Sequence, residues 1–157
     1  MHRATMLARR LSFGAVAAMA VLYASHPSSA QRDRAVRVAV GETGGAQRQA
    51  LAGAISEALD RAPDVRRAPA GRADLEVRGS IVRLERTRVA EGLEVRCEVS
   101  LVVADARGGA VRAMLRGRAG ARGGTDAARL QGNALRAAVR GALRPLAQHG
   151  HALARGR

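Results

Sequence analysis

Few residues in this sequence are of types and spacings that could do chemistry. Gly41, Gly44 and Gly45 lie between a run of alternating valines and an amphipathic stretch. Strand, glycine loop and helix is the layout in which backbone N–H groups cradle phosphate. A phosphate loop of the Walker type requires GxxxxGK[ST], and a dinucleotide fingerprint requires GxGxxG. "GETGGA" has neither spacing, the chain contains no lysine, and Glu42 would repel a phosphate. The glycines therefore predict a turn from strand into helix. Cys97 alternates with Val95 and Val99, which places it on an apolar strand face as a small hydrophobe. A catalytic thiol needs exposure and a neighbouring base, and beyond residue 30 the only histidines are His149 and His151. Two histidines without a carboxylate or thiol make a poor metal site. A lone cysteine excludes an intramolecular disulfide and a CxxC motif. Glu94 and Glu98 alternate with Arg96, opposite Glu76 and Arg78 of a neighbouring strand, a pattern of cross-strand ion pairs on a solvated face. No Ser-His-Asp set can be assigned. The sequence predicts a protein that is not an enzyme and carries no cofactor and no metal.

One charged feature stands out. At 100° per residue, Arg129, Arg136, Arg140 and Arg144 fall on one side of a helix whose other side is apolar. The stripe is a candidate contact for an anionic surface: lipid, lipopolysaccharide or an acidic partner. An ordinary solvated helix face in an arginine-only chain is the simpler reading of the stripe. The formal charge is +14, and all 27 basic residues are arginine. Replacement of every lysine by arginine, beside abundant Ala and Gly, is what a GC-rich genome would produce. The only aromatic residues, Phe13 and Tyr23, lie before residue 31. Without aromatics for base stacking, nucleic acid is a weak partner candidate despite the charge.

The amino terminus reads as an address. Arg3, Arg9 and Arg10 precede an uncharged apolar run from Leu11 to Ala24, followed by "SHPSSA". Ser28 and Ala30 occupy the −3 and −1 places of a secretory cleavage site. The run of 14 residues falls short of the ~20 that a spanning helix requires. Arg9-Arg10 leaves both general secretory and twin-arginine export open. The expectation is a signal peptide over 1–30, cleavage near Ala30 and a periplasmic or secreted protein without a transmembrane helix. The remaining chain holds 24 Arg against 13 acids.

The elements that must position these residues follow from periodicity. Ala35–Val40 alternates as a strand, with "GETGGA" as the loop after it. Gln47–Ala62 repeats Leu51, Ile55 and Leu59 as a helix ended by Pro63. Residues 64–74 predict a short edge strand or loop. Leu75–Val89 is a strand whose alternation slips at Ile81-Val82, the signature of a β-bulge. There Val82 and Leu84 are expected to take over the apolar phase. Leu93–Val103 alternates without a break. Ala110–Ala119 points Val111, Ala113 and Leu115 inward. Asp126 caps a helix from Ala127 to about Gln148, with a kink expected at Pro145. The order predicts an α+β fold: a two-layer sandwich, with a mostly antiparallel sheet of three to five strands and two helices on one face. Residues 31–148 form one domain, and 149–157 a flexible tail.

"RADLEVRGSIVRL" and "EVSLVVADARGGAVRAMLRGRA" resemble the central strands of small bacterial envelope domains. These are the penicillin-binding-protein activator lipoproteins, the curli-secretion lipoproteins and the amino-terminal domain of TolB. The resemblance implies a non-catalytic module that binds other envelope proteins or assembles. No functional residue carries over. The lipoprotein cysteine is missing, which argues against tethering. The expected role is an exported, non-catalytic accessory module of the bacterial envelope acting through protein contacts. The alternative is a basic protein that docks on an anionic surface through the arginine stripe. Oligomeric state stays open.

Overall fold

The computed structural model describes residues 35–156. The signal peptide expected over 1–30 and its cleavage point lie outside these residues. Strand β1 (Val36–Gly44) leads to helix α1 (Arg48–Asp60) and to the short β2 (Val65–Arg67). A 3-10 turn at Ala70–Arg72 precedes β3 (Leu75–Val89), β4 (Gly92–Asp105), β5 (Val111–Gly123) and helix α2 (Ala127–Arg155). The sheet runs β2-β1-β3-β4-β5. Its β1 pairs in parallel with both β2 and β3, and the long β3, β4 and β5 are antiparallel. This is the expected α+β arrangement: a mostly antiparallel sheet of five strands, with the parallel pairing confined to β1.

Period-two alternation puts Val38, Leu75, Val77, Val95, Cys97, Val99, Leu101 and Val103 on one sheet face, all buried. Both helices cover that face: α1 over β1 and β2, α2 over β4 and β5. Leu51, Ile55 and Leu59 from α1 meet Leu135, Val139 and Leu146 from α2 in the same core. With no aromatic side chain among the described residues, the layers must approach closely. Ala134, Ala138 and Ala142 provide the smooth helix side, and Gly117 of β5 the gap. A Cβ at Gly117 would collide with the Ala138 carbonyl oxygen, which belongs to backbone and cannot turn aside.

The β3 slip is present as a register shift between Ile81 and Arg83. The apolar phase resumes at Leu84, whereas Val82, expected inside, is the extra residue of the bulge and is 58% exposed. Val111 was also expected inward. A second register shift, between Val103 and Ala104, leaves it 62% exposed. Strand β1 continues through Gly44, so the first four residues of the expected "GETGGA" loop are strand.

The expected tail is helical. Helix α2 runs to Arg155, with Gly150 buried against Val36, and Leu153 and Ala154 packed on the core. Its backbone departs from helical geometry at His149 (φ −126°, ψ 16°), four residues beyond Pro145, where the bend was expected. Gly156 ends the helix in a left-handed conformation (φ 69°) beside the Arg112 guanidinium. A cation is favourable at the carboxyl end of a helix.

Gly117→Ala tests the close approach of the layers. It should lower stability by about 2 kcal/mol and Tm by about 8 °C, read by denaturant and thermal unfolding. A change within 1 °C of wild type would mean that α2 can move off the sheet without cost.

Candidate functional site

The glycine segment does not open toward a ligand. Gly41 lies in β1, and the Glu76 side chain folds across it where a Cβ would stand. Arg78 Nη2 donates to that same carboxylate at 2.7 Å. Gly45 (φ 94°) makes the turn itself, and Thr43 Oγ1 donates to the Arg48 carbonyl. The space beside Gly41 is thus taken by a carboxylate of the chain.

Cys97 is buried on the core face, and burial pushes its thiol above the ordinary range. His149 and His151 are exposed near the end of α2. Among the described residues no three His, Cys, Asp or Glu side chains gather in a geometry able to hold a metal. No helix among them is long and apolar enough to cross a membrane.

The sheet face opposite the helices carries most of the charge network. Glu94 accepts from Arg96 at 2.8 Å and from Arg122 of β5 at 2.9 Å. Glu98 accepts from Arg118 at 3.0 Å. Cross-strand pairing is therefore real, but it runs to β5. The residues expected to face one another do not, since Glu76 lies opposite Ala104 in the register. Glu94, Arg96, Glu98 and Arg118 line a shallow cavity of about 490 Å³ together with Arg83 and Glu85. The two arginines flanking Glu94 hold its carboxyl below the ordinary range. Nearer the other end of the strands, Val102 pairs with Met114, which is 69% exposed, and Ala104 pairs with Val111.

Two carboxylates fasten the turns at the sheet's end. Asp74 accepts from the Arg37 backbone and, in a fork, from its guanidinium. Those hydrogen bonds lower the Asp74 pKa and raise that of Arg37. Asp105 accepts from the backbone N–H groups of Arg107 and Gly108 and from Arg112. These bonds, the Gly108 one foremost, lower it to about 2. Sequence reasoning missed this pair because Arg112 reads as one more outward arginine of β5. In fact it is half-buried, with its Nε unpartnered among the described residues.

The four stripe residues are all exposed along α2, on the side away from the sheet. Arg140 and Arg144 meet across a groove from Arg61 of α1, whereas Arg129 and Arg136 lie farther along the helix. Arg136 donates to Asn133, and none of the four pairs with a carboxylate among the described residues. The inter-helix groove, about 300 Å³ with an apolar floor, had no signal in either helix's sequence alone.

No protein-family model and no curated protein matches the chain. Solved structures share its fold. The PelC dodecamer from Paraburkholderia phytofirmans superposes with a TM-score of 0.53 at 21% identity, covering 72% of this chain and 90% of that one. A candidate lipoprotein from Caulobacter crescentus CB15 gives 0.54 at 20%, covering 76% and 92%. A DUF330 protein from Xanthomonas campestris gives 0.53 at 11%, covering 77% and 85%. The likeness is one of fold, and these neighbours are not the three envelope families that the sequence suggested.

Two outcomes check this description. Native Cys97 should react with a thiol reagent about a hundredfold more slowly than in denaturant; equal rates would show that the thiol is exposed. Asp105 ionises at about 2 when folded against 3.8 ordinarily. The stability it contributes is complete above 3.8 and is lost as pH falls through about 2. The Tm difference between wild type and Asp105→Asn should hold constant above about pH 5 and shrink between pH 4 and 2. A difference that does not vary with pH would mean that the carboxylate's charge is not what the turn uses.

Proposed function

We propose that this chain is a non-catalytic accessory module of the bacterial cell envelope, exported and working through contact with other protein chains, copies of itself included. The observation that carries this reading is the uncovered side of the sheet. Met114 and Val111 stand exposed beside Val102 and Ala104. Among the described residues no strand pairs with the outer edge of β5. Exposed apolar side chains beside an unpaired edge suit a partner that covers them. Recurrence of the fold in a PelC dodecamer and in a candidate lipoprotein supports the assembly and envelope parts of the proposal. The leader-like residues 1–30 support export. Action without catalysis is supported by the burial of Cys97 and by the mutual pairing of the sheet's carboxylates and arginines.

A photo-crosslinking amino acid in place of Met114, in the exported full-length protein, should capture a protein in envelope preparations, whether itself or another. The same probe in place of Arg66, exposed on β2, should not. Met114→Asp should reduce the mass of the assembly seen by native mass spectrometry. Equal capture from both positions, or none from 114, would overturn the reading.

A further inference from the structure

Helix α2 and strand β5 both carry arginines and no acid, but three of β5's four arginines pair with nearby carboxylates, and none of the arginines of α2 does among the described residues. All 13 acidic residues lie between Asp33 and Asp126, and residues 127–157 hold six arginines and no acid. A genome bias that writes arginine for lysine has no reason to remove glutamate and aspartate from one helix. Arg136, Arg140 and Arg144 also follow at i, i+4 spacing, about 6 Å apart along the axis, where like charges destabilise a helix. An ordinary solvated face would intersperse acids, as the sheet does: there Glu94 and Glu98 neutralise Arg96, Arg118 and Arg122. Arg136, Arg140 and Arg144 thus keep a like-charge repulsion that no carboxylate relieves among the described residues.

A second feature lies beside it. Arg140 and Arg144 border the groove between the helices, whose floor is Leu59, Ala62, Pro63 and Leu143. Cationic guanidiniums next to an apolar slot match a ligand that is anionic at one end and hydrocarbon at the other. Nucleic acid and acidic protein segments supply the charge but no hydrocarbon tail.

We propose that the outer face of α2, centred on Arg140 and Arg144, docks on a membrane surface carrying anionic phospholipid, with headgroup phosphates on the guanidiniums and the adjoining methylenes against the groove. The contact lies on the opposite side of the sandwich from Met114 and does not rest on the protein-contact reading.

The test is flotation of the protein, recovered from the periplasm of an expressing host, with vesicles of phosphatidylcholine alone or mixed with phosphatidylglycerol. Binding specific to phosphatidylglycerol is expected at low salt, with loss at about 0.5 M salt, where the Debye length falls to a few ångströms. Arg140→Glu/Arg144→Glu should lower the partition coefficient by about thirty-fold or more. Arg83→Glu/Arg116→Glu, on the open sheet face, changes net charge equally and should leave binding within about threefold of wild type. Reversal on α2 relieves like-charge repulsion, so its Tm should not fall, which separates lost docking from lost folding. Inorganic phosphate at about 10 mM, which adds little screening, should leave the protein on the vesicles. Equal loss in both double variants would show attraction by net charge alone and overturn the site. So would displacement by phosphate, which marks a small-anion site. Retention on duplex DNA or an acidic protein with none on phosphatidylglycerol vesicles would overturn it as well.

Discussion

The fold depends on how closely α2 can lie on β4 and β5. With no aromatic residue among those described, no single side chain can bridge a wide gap between layers. Burial must come from many small contacts, and those require short distances. Gly117 under the Ala138 carbonyl sets the distance, and Ala134 and Ala142 keep the helix smooth on either side. Once that distance is set, Val95, Val99 and Leu101 reach Leu135 and Val139 without voids, and α1 closes the core over β1.

This close seal leaves no room between the layers for polar chemistry, and no polar or charged residue is buried among those described. The two contacts proposed for the molecule therefore fall on its outer faces, which differ. The sheet face is almost self-neutralised, with arginines of β5 answering carboxylates of β4, and its uncommitted surface is apolar, around Met114. The helix face is cationic and unanswered. An ion pair between exposed groups contributes little to stability. Its effect on the sheet is to remove the net field there, leaving the field to α2.

Much of this was legible in the sequence, because alternation and helical periodicity are local. The slip at Ile81-Val82 located the bulge within a residue. It could not say which residue the bulge would extrude, because that depends on the register against β4, and Val82 and Leu84 are equally apolar. Val111 was misplaced for the same reason: its alternation with Ala113 and Leu115 is unbroken in the sequence, and the extra residue at Arg112 shows only in the register against β4. The end of α2 was hidden by histidines and glycines of low helix propensity, overridden by the contact of Gly150 with Val36 and by Arg112 at the helix terminus. The sequence foretold the arginine stripe but not the groove, which exists only between two elements far apart in the chain.

The glycine segment shows how tertiary contact decides between readings that the local pattern leaves equal. Strand, glycines and helix are all present, and in isolation their N–H groups would suit an anion. The parallel pairing of β1 with β3 places Glu76 beside Ala39, and its side chain then takes the space that Gly41 leaves open. A negative charge is thus held against Gly41, and Arg78 pairs with it. The glycine is required here because it makes room for a carboxylate, and this one contact turns a nucleotide-like signature into a structural joint. The anion contact proposed for this molecule is placed instead on a helix that carries no carboxylate after its cap at Asp126.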